Sequence, residues 1–148
     1  MKEISQPKNQ KPKLNTAIPG PKSKALRAKE DQHLAPGLQG FALMAGIVAD
    51  HASGNLVTDV DGNSFLDIIG GIGVNGLGHS HPTYVSALKD QVEKISVGSF
   101  TSQARVDFFE RLGKNSPAPG VDKAQLYSGG AEAVESALRL AKCFTGKY

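Results

Sequence analysis

Leu126-Tyr127-Ser128-Gly129-Gly130-Ala131-Glu132-Ala133-Val134-Glu135 reads as the end of a short strand, a glycine-rich turn and the first turn of a helix. Such a junction presents backbone N–H groups that have no partner inside the helix, in a dipole field that favours negative charge. Ser128 adds a hydroxyl, and Gly129 and Gly130 let the chain come close to a ligand. Glu132 and Glu135 complement the dipole and so have a complete structural explanation. The pattern differs from a Walker loop, which ends Gly-Lys-Ser/Thr, and from Gly-x-Gly-x-x-Gly. On spacing alone, a phosphate site and an ordinary strand–helix turn fit equally well.

Working outward, Lys123 to Tyr127 reads as a short strand and Ala131 to Thr145 as a helix. Asn115 to Gly120 is a loop. Thr101 or Ser102 can cap a helix with Val106, Phe109 and Leu112 on one face. Pro82 suits the first position of another, in which Val85, Leu88, Val92 and Ile95 recur at helical spacing through Ser96. Gly70 to Pro82 is dense in glycine and reads as a loop, a lid or a surface bending around a ligand. Residues 45–69 read as strands, with turns at Ser53-Gly54-Asn55 and Asp61-Gly62-Asn63, the second a strong hairpin signal. Ser23 to Leu34 is rich in helix formers and is expected to end at Pro36-Gly37.

The formal charge of +3 is unevenly placed. Residues 1–24 hold six lysines against Glu3, so the basicity belongs to a tail and the remainder is slightly acidic. Residues 1–18 are expected to be a disordered basic tail, because they carry too little apolar surface to offset their ordering entropy. That tail lacks the arginines and aromatics of a nucleic-acid arm. No apolar run is long enough to span a membrane, and no apolar h-region follows the first lysines. With the single Cys143, the chain is expected to be cytoplasmic. Asp59, Asp61 and Asn63 alternate as in a calcium loop, but the later ligands are missing, so a hairpin turn is the better reading. His79 and His81 lack a third metal ligand, and a turn whose imidazoles bond locally accounts for them. Ser128 forms no nucleophile elbow. No metal site is assigned.

Taken in order, several blocks resemble the N-terminal part of the class III pyridoxal-phosphate-dependent aminotransferases. They are Gly54 to Asn63, Leu66-Asp67, Gly71-Ile72-Gly73-Val74, Gly78-His79-Ser80-His81-Pro82 and Ser128 to Glu135. The similarity runs from about Pro19 to Tyr148. Ile18-Pro19-Gly20-Pro21-Lys22-Ser23 looks most like the 4-aminobutyrate branch, and the acetylornithine and ornithine branches share most other blocks. The implied fold class is α/β: an incomplete, N-terminal part of a fold-type-I transferase. Residues 19–81 would hold the N-terminal helix, hairpin and glycine-rich pocket segment. Residues 82–148 would hold connecting helices and the start of the large parallel-sheet domain.

The resemblance also implies roles. Pyridoxal 5'-phosphate would place its phosphate on the N–H groups of Gly130 and Ala131, with Gly129 permitting the approach. Ala131 stands where some relatives carry Ser, which removes a hydroxyl contact. Ile72 and Val74 would line the substrate side. The partners would be an amino donor, such as a 4-aminobutyrate- or ornithine-like ω-amino acid, and a 2-oxo acid. The family is homodimeric, with no nucleic acid or membrane partner. Its reaction needs a lysine bonded to the cofactor aldehyde, an acid on the ring nitrogen and an aromatic on the ring, all expected beyond Tyr148. Lys142 and Lys147 lack the required context. The chain alone is therefore expected to be non-catalytic and poorly stable, its helices lacking the sheet they would cover. The rival reading is a non-enzymatic subunit that pairs with aminotransferase chains.

Overall fold

The computed structural model describes residues 11–35, 37, 40–96, 100–116, 120 and 123–147. The chain separates into two units, Met1–Ser96 and Val97–Tyr148. The division falls after the helix that begins at Pro82, rather than before it. The first unit contains α1 (Pro21–Glu30), α2 (Gly40–Ala45), β1 (Ala49–Ser53), β2 (Leu56–Asp59), β3 (Ser64–Leu66), α3 (Gly70–Gly73) and α4 (Pro82–Lys94). The second contains α5 (Gln103–Lys114) and α6 (Gly130–Thr145).

The three strands form an antiparallel sheet in the order β1-β2-β3. Gly54, at φ +58°, turns β1 into β2, with Ser53 opposite Leu56. Gly62, at φ +83°, turns β2 into β3. Both are conformations that glycine adopts without strain. A register shift between Ala49 and His51 bulges β1, and the strand starts at Ala49, later than the expected strand region that opens at residue 45.

What anchors this sheet is polar. Among the described residues Leu56 is the one buried hydrophobic side chain, whereas Asn63 and Asp59 are 0% and 1% exposed. Asp59 Oδ1 accepts from the N–H groups of Asp61 (3.0 Å) and Asn63 (2.8 Å), and its Oδ2 from Asn63 Nδ2 (2.8 Å). The Asn63 carboxamide then reaches outward. Its oxygen accepts from the N–H groups of Asn15 (2.7 Å) and Thr16 (2.9 Å), and its Nδ2 also donates to Thr16 Oγ1 (2.9 Å). These bonds account for Asp59 and Asn63 as turn residues.

Asp61 points elsewhere. Its carboxylate accepts from Lys22 N (2.8 Å), Ser23 N (2.9 Å) and Ser23 Oγ (2.7 Å), at the first turn of α1. The N-cap of that helix is Gly20, which has no side chain to bond those amides. Asp61 therefore caps α1 from 38 residues away. A Cβ at Gly20 would overlap the Asp61 carboxyl group, so glycine is required there by contact.

Part of the segment expected as a disordered tail is hydrogen-bonded to the sheet. Lys13 pairs with Ser64 in both directions (3.0 and 2.7 Å), and Asn15 Nδ2 donates to Gly62 O (2.5 Å). The segment has little apolar surface to bury and is ordered instead by amide hydrogen bonds. Residues 1–10 lie outside those described. α1 ends at Glu30, followed by a turn to His33, before the expected stop at Pro36-Gly37; Pro36 is outside the described residues. α2 was not expected from the sequence.

In the second unit Ser102 caps α5, its Oγ accepting from Arg105 N (3.3 Å). Residues 123–127 do not form the expected strand, and among the described residues nothing pairs with them. A lone extended segment has no ladder to complete. Many apolar side chains on the helices of both units are exposed, including Leu88 and Val92 on α4 and Val134 and Leu138 on α6.

Asn63→Ala removes a carboxamide that serves two N–H groups, a hydroxyl and a carboxylate. With each buried unsatisfied group costing about 1–3 kcal/mol, the variant is expected to lose several kcal/mol. Protection of the β2 amides in hydrogen exchange should collapse, and unchanged protection would contradict the polar anchor.

Candidate functional site

Two stretches carry the candidate residues, one in each unit. In the first, Asp67 follows β3 and organises the glycine-rich segment. Its Oδ1 accepts from Ile69 N (3.0 Å) and Gly70 N (2.8 Å), and its Oδ2 pairs with His79 Nε2 (2.8 Å). The His79 backbone exchanges two hydrogen bonds with Gly54, at 2.7 and 2.9 Å. The glycine segment is thereby fastened to the β1–β2 turn. The Gly70 and His79 bonds, opposed by partial desolvation and helped by the Ile69 amide and the His79 charge, hold the Asp67 carboxyl below its ordinary pKa. His79 thus bonds locally, as expected, but His81 Nδ1 is buried with no hydrogen-bond partner among the described residues.

Between Asp67 and His79 the chain makes a turn of unusual hand. Gly70, Gly71, Ile72 and Gly73 have φ of +55°, +64°, +65° and +81°, so α3 is a left-handed turn rather than an ordinary helix. Glycine adopts this conformation freely, but each L-residue with a Cβ costs roughly 1–2 kcal/mol there. Ile72 therefore carries the strain. It is also 73% exposed, and Val74 is 83% exposed. Their side chains are not part of any core within the described unit. Val74, Leu77, His79 and Tyr84 help line an open cavity of about 670 Å³ beside the turn.

In the second unit Ser128, Gly129, Gly130 and Ala131 are all exposed. Gly129 is the N-cap of α6 in extended conformation, and its N–H is taken by Glu132 Oε2 (3.0 Å). The N–H groups of Gly130, Ala131 and Glu132 form the first turn, where no carbonyl lies four residues back within the helix. Gly129 has no side-chain oxygen to offer them. A Cβ at Gly130 would meet nothing within 4 Å, and its backbone is not left-handed, so the chain itself does not demand glycine at that position. The space left open is the kind a phosphate group needs. Ser128 also borders a cavity of about 580 Å³ lined by Phe100, Arg105, Phe108 and Tyr127. The two candidate stretches lie in separate units. Both stretches are visible in the sequence, and Asp67 is visible there as part of the Leu66-Asp67 block, three residues before a glycine run, but its role in holding the turn is not.

Against this geometry, residues 41–147 match the family model of the class-III aminotransferases. The chain belongs to the class-III aminotransferase family. It is 36% identical over 138 residues to a 4-aminobutyrate aminotransferase of Mycobacterium tuberculosis, covering 91% of this chain and 30% of that protein. It is 41% identical over 99 residues to an acetylornithine aminotransferase of Bifidobacterium longum, covering 66% of this chain and 23% of that one. The fold matches a solved structure of a transaminase with PLP bound at a TM-score of 0.75 and 26% identity, over 84% of this chain and 30% of that structure. Acetylornithine aminotransferase from Elizabethkingia anophelis matches at 0.70 and 29% identity, over 81% and 30%. The architecture is thus that of part of a fold-type-I transferase, and the chain spans between 23% and 30% of these relatives' length.

Because the folded Asp67 pKa is lowered, its contribution is complete above the unfolded value and is lost as pH falls through the folded one. The Gly70 amide is expected to exchange faster across that acid range, and in Asp67→Ala at every pH once intrinsic rates are divided out. Gly70 exchange unaffected by Asp67→Ala would remove the carboxylate from its place in this turn.

Proposed function

We propose that this chain is part of a pyridoxal-phosphate-dependent aminotransferase that moves an amino group from an ω-amino acid to a 2-oxo acid. The observation that carries this reading is the α6 N-terminus, where a family-matched glycine turn leaves the N–H groups of Gly130 and Ala131 open and exposed. These two residues hold the cofactor phosphate, and Gly129 allows the approach while its own N–H holds Glu132. Ala131 contributes only its backbone. Bound there, the cofactor supplies the electron sink for transamination. Ile72 and Val74, presented by the left-handed turn, face the substrate. A 4-aminobutyrate- or ornithine-like donor is favoured by the names of the similar proteins.

No residue of this chain is assigned as the catalytic lysine. Lys142 lies three turns along α6, about 18 Å from Gly130 by helical rise, too far to serve a cofactor anchored there. Lys147 lies beyond the C-cap, Gly146. The working form is proposed to be a cytoplasmic homodimer, and the exposed apolar faces of α4 and α6 favour burial in a larger assembly. No specific observation favours a non-enzymatic subunit instead.

Ala131→Pro tests the phosphate assignment cleanly. Proline is tolerated in the first helical turn, where the missing N–H had no helical partner. Pyridoxal 5'-phosphate and inorganic phosphate are expected to shift the Gly130 and Ala131 amide resonances of the native chain, and pyridoxal without phosphate should not. The variant should bind pyridoxal 5'-phosphate at least about tenfold more weakly, with α6 helicity unchanged, as expected for loss of one charge-assisted bond. Equal response to pyridoxal and its phosphate, or unaltered affinity in the variant, would overturn it.

A further inference from the structure

We infer that residues 13–30 form a detachable strap, clipped to the β2–β3 turn by Asn63 and Asp61, so that α1 opens and closes while the sheet stays folded. The strap lies before residue 41, where the match to the family model begins.

The strap is held at a few polar points. Lys13 pairs with Ser64, Asn63 takes the amides of Asn15 and Thr16, and Asp61 takes those of Lys22 and Ser23. Beyond these, Gly20 is buried and Thr16, Pro19 and Arg27 are half-buried, while the other residues of the strap outside Ser23 are exposed. Along α1 only Ser23 is buried, and Leu14, Ile18 and Leu26 are exposed. Among the described residues, no buried hydrophobic side chain on α1 ties it to the sheet. An isolated ten-residue helix is marginal in water, so α1 depends on its cap.

The sheet's own ladders do not run through α1, although Lys13 adds a bridge to β3 at Ser64. The β1–β2 and β2–β3 ladders, and the three bonds accepted by Asp59, are all made within residues 49–66. Ser23 Oγ links the two sides: it donates to Asp61 and accepts weakly from Val48 N at 3.3 Å. Releasing Asp61 therefore frees α1 while leaving the ladders intact.

The clip is sensitive to acid. Desolvation pushes the Asp61 carboxyl upward, but the Ser23 hydroxyl, the Lys22 and Ser23 amides and the Lys22 charge outweigh it, and the pKa is lowered. The charged groups around it are Lys22 from α1 and Asp59 from β2, whose carboxylate holds the Asp61 N–H. On β1, Asp50 and His51 pair with each other at 2.8 Å. A lowered folded pKa means that the clip is fully closed above the unfolded value and opens as pH falls through the folded one.

Hydrogen exchange of the full chain, followed amide by amide, decides the matter. In Asp61→Ala the amides of residues 24–30 are expected to exchange at least tenfold faster, with those of Val57 and Thr58 unchanged. Ser23→Ala should show the same pattern to a smaller degree. In the native chain, α1 opening corrected for intrinsic rate should increase through the acid range before the sheet opens, and Asp61→Asn should abolish that step. Acceleration of strap and sheet together would overturn the strap, as would unchanged α1 exchange in Asp61→Ala. Should a variant fail to fold, the acid series on the native chain still decides, since simultaneous opening of α1 and sheet would refute the inference.

Discussion

The contact between Asp59 and Asn63 governs the first unit. Two side chains four residues apart close the β2–β3 turn on themselves and are buried more completely than Leu56, the one buried apolar side chain among the described residues. A buried carboxylate is tolerable only when its acceptor sites are filled, and here a carboxamide and two amides fill them. Asn63 then has an oxygen and a second N–H site left for the chain arriving from residues 15 and 16. The turn is thus both the end of a hairpin and the socket for a distant segment. In a unit with so little apolar burial, that polar network supplies the uniqueness a hydrophobic core would otherwise give.

The same turn separates three acidic or amide side chains by direction. Asp59 and Asn63 face inward, while Asp61 reaches α1. Alternation along a strand-like turn sends neighbouring side chains to opposite sides, which is why a spacing reminiscent of cation ligation produces two unrelated sets of protein hydrogen bonds. A second carboxylate, Asp67, performs the analogous task for the glycine segment, joining it to His79 and hence to the β1–β2 turn. The first unit is therefore organised by carboxylates that satisfy backbone amides at places where the chain reverses.

Local features were the most legible in the sequence. Asp61-Gly62 marks its hairpin because the positive φ is a property of the glycine itself, and Ser102 marks the start of α5 because the cap lies three residues from its donor. Pro82 likewise marks α4. What could not be read depends on distance along the chain. Asp61 and Ser23 are 38 residues apart, so a long-range cap looks like an uncapped Gly20. The extended segment at 123–127 needs neighbours that no local pattern supplies. At the candidate phosphate turn the sequence showed the helix start and its glycines; only the structure showed that Glu132 occupies the Gly129 amide and leaves the next ones open. The order and spacing of motif blocks made the family recognisable, because those blocks reflect many local constraints at once.

The left-handed turn at Gly70–Gly73 has a consequence in stereochemistry. Three of its four residues have no stereocentre at Cα, so they are indifferent to the hand of the turn. All of the mismatch between an L-polypeptide and a left-handed backbone is concentrated on one atom, the Cα of Ile72. The segment is thus nearly achiral in its energetics, with a single position at which mirror-image chemistry would matter. A chain carrying D-isoleucine there would relax the backbone and send the side chain along a different vector, dissociating the shape of the turn from the direction in which its one large side chain is offered.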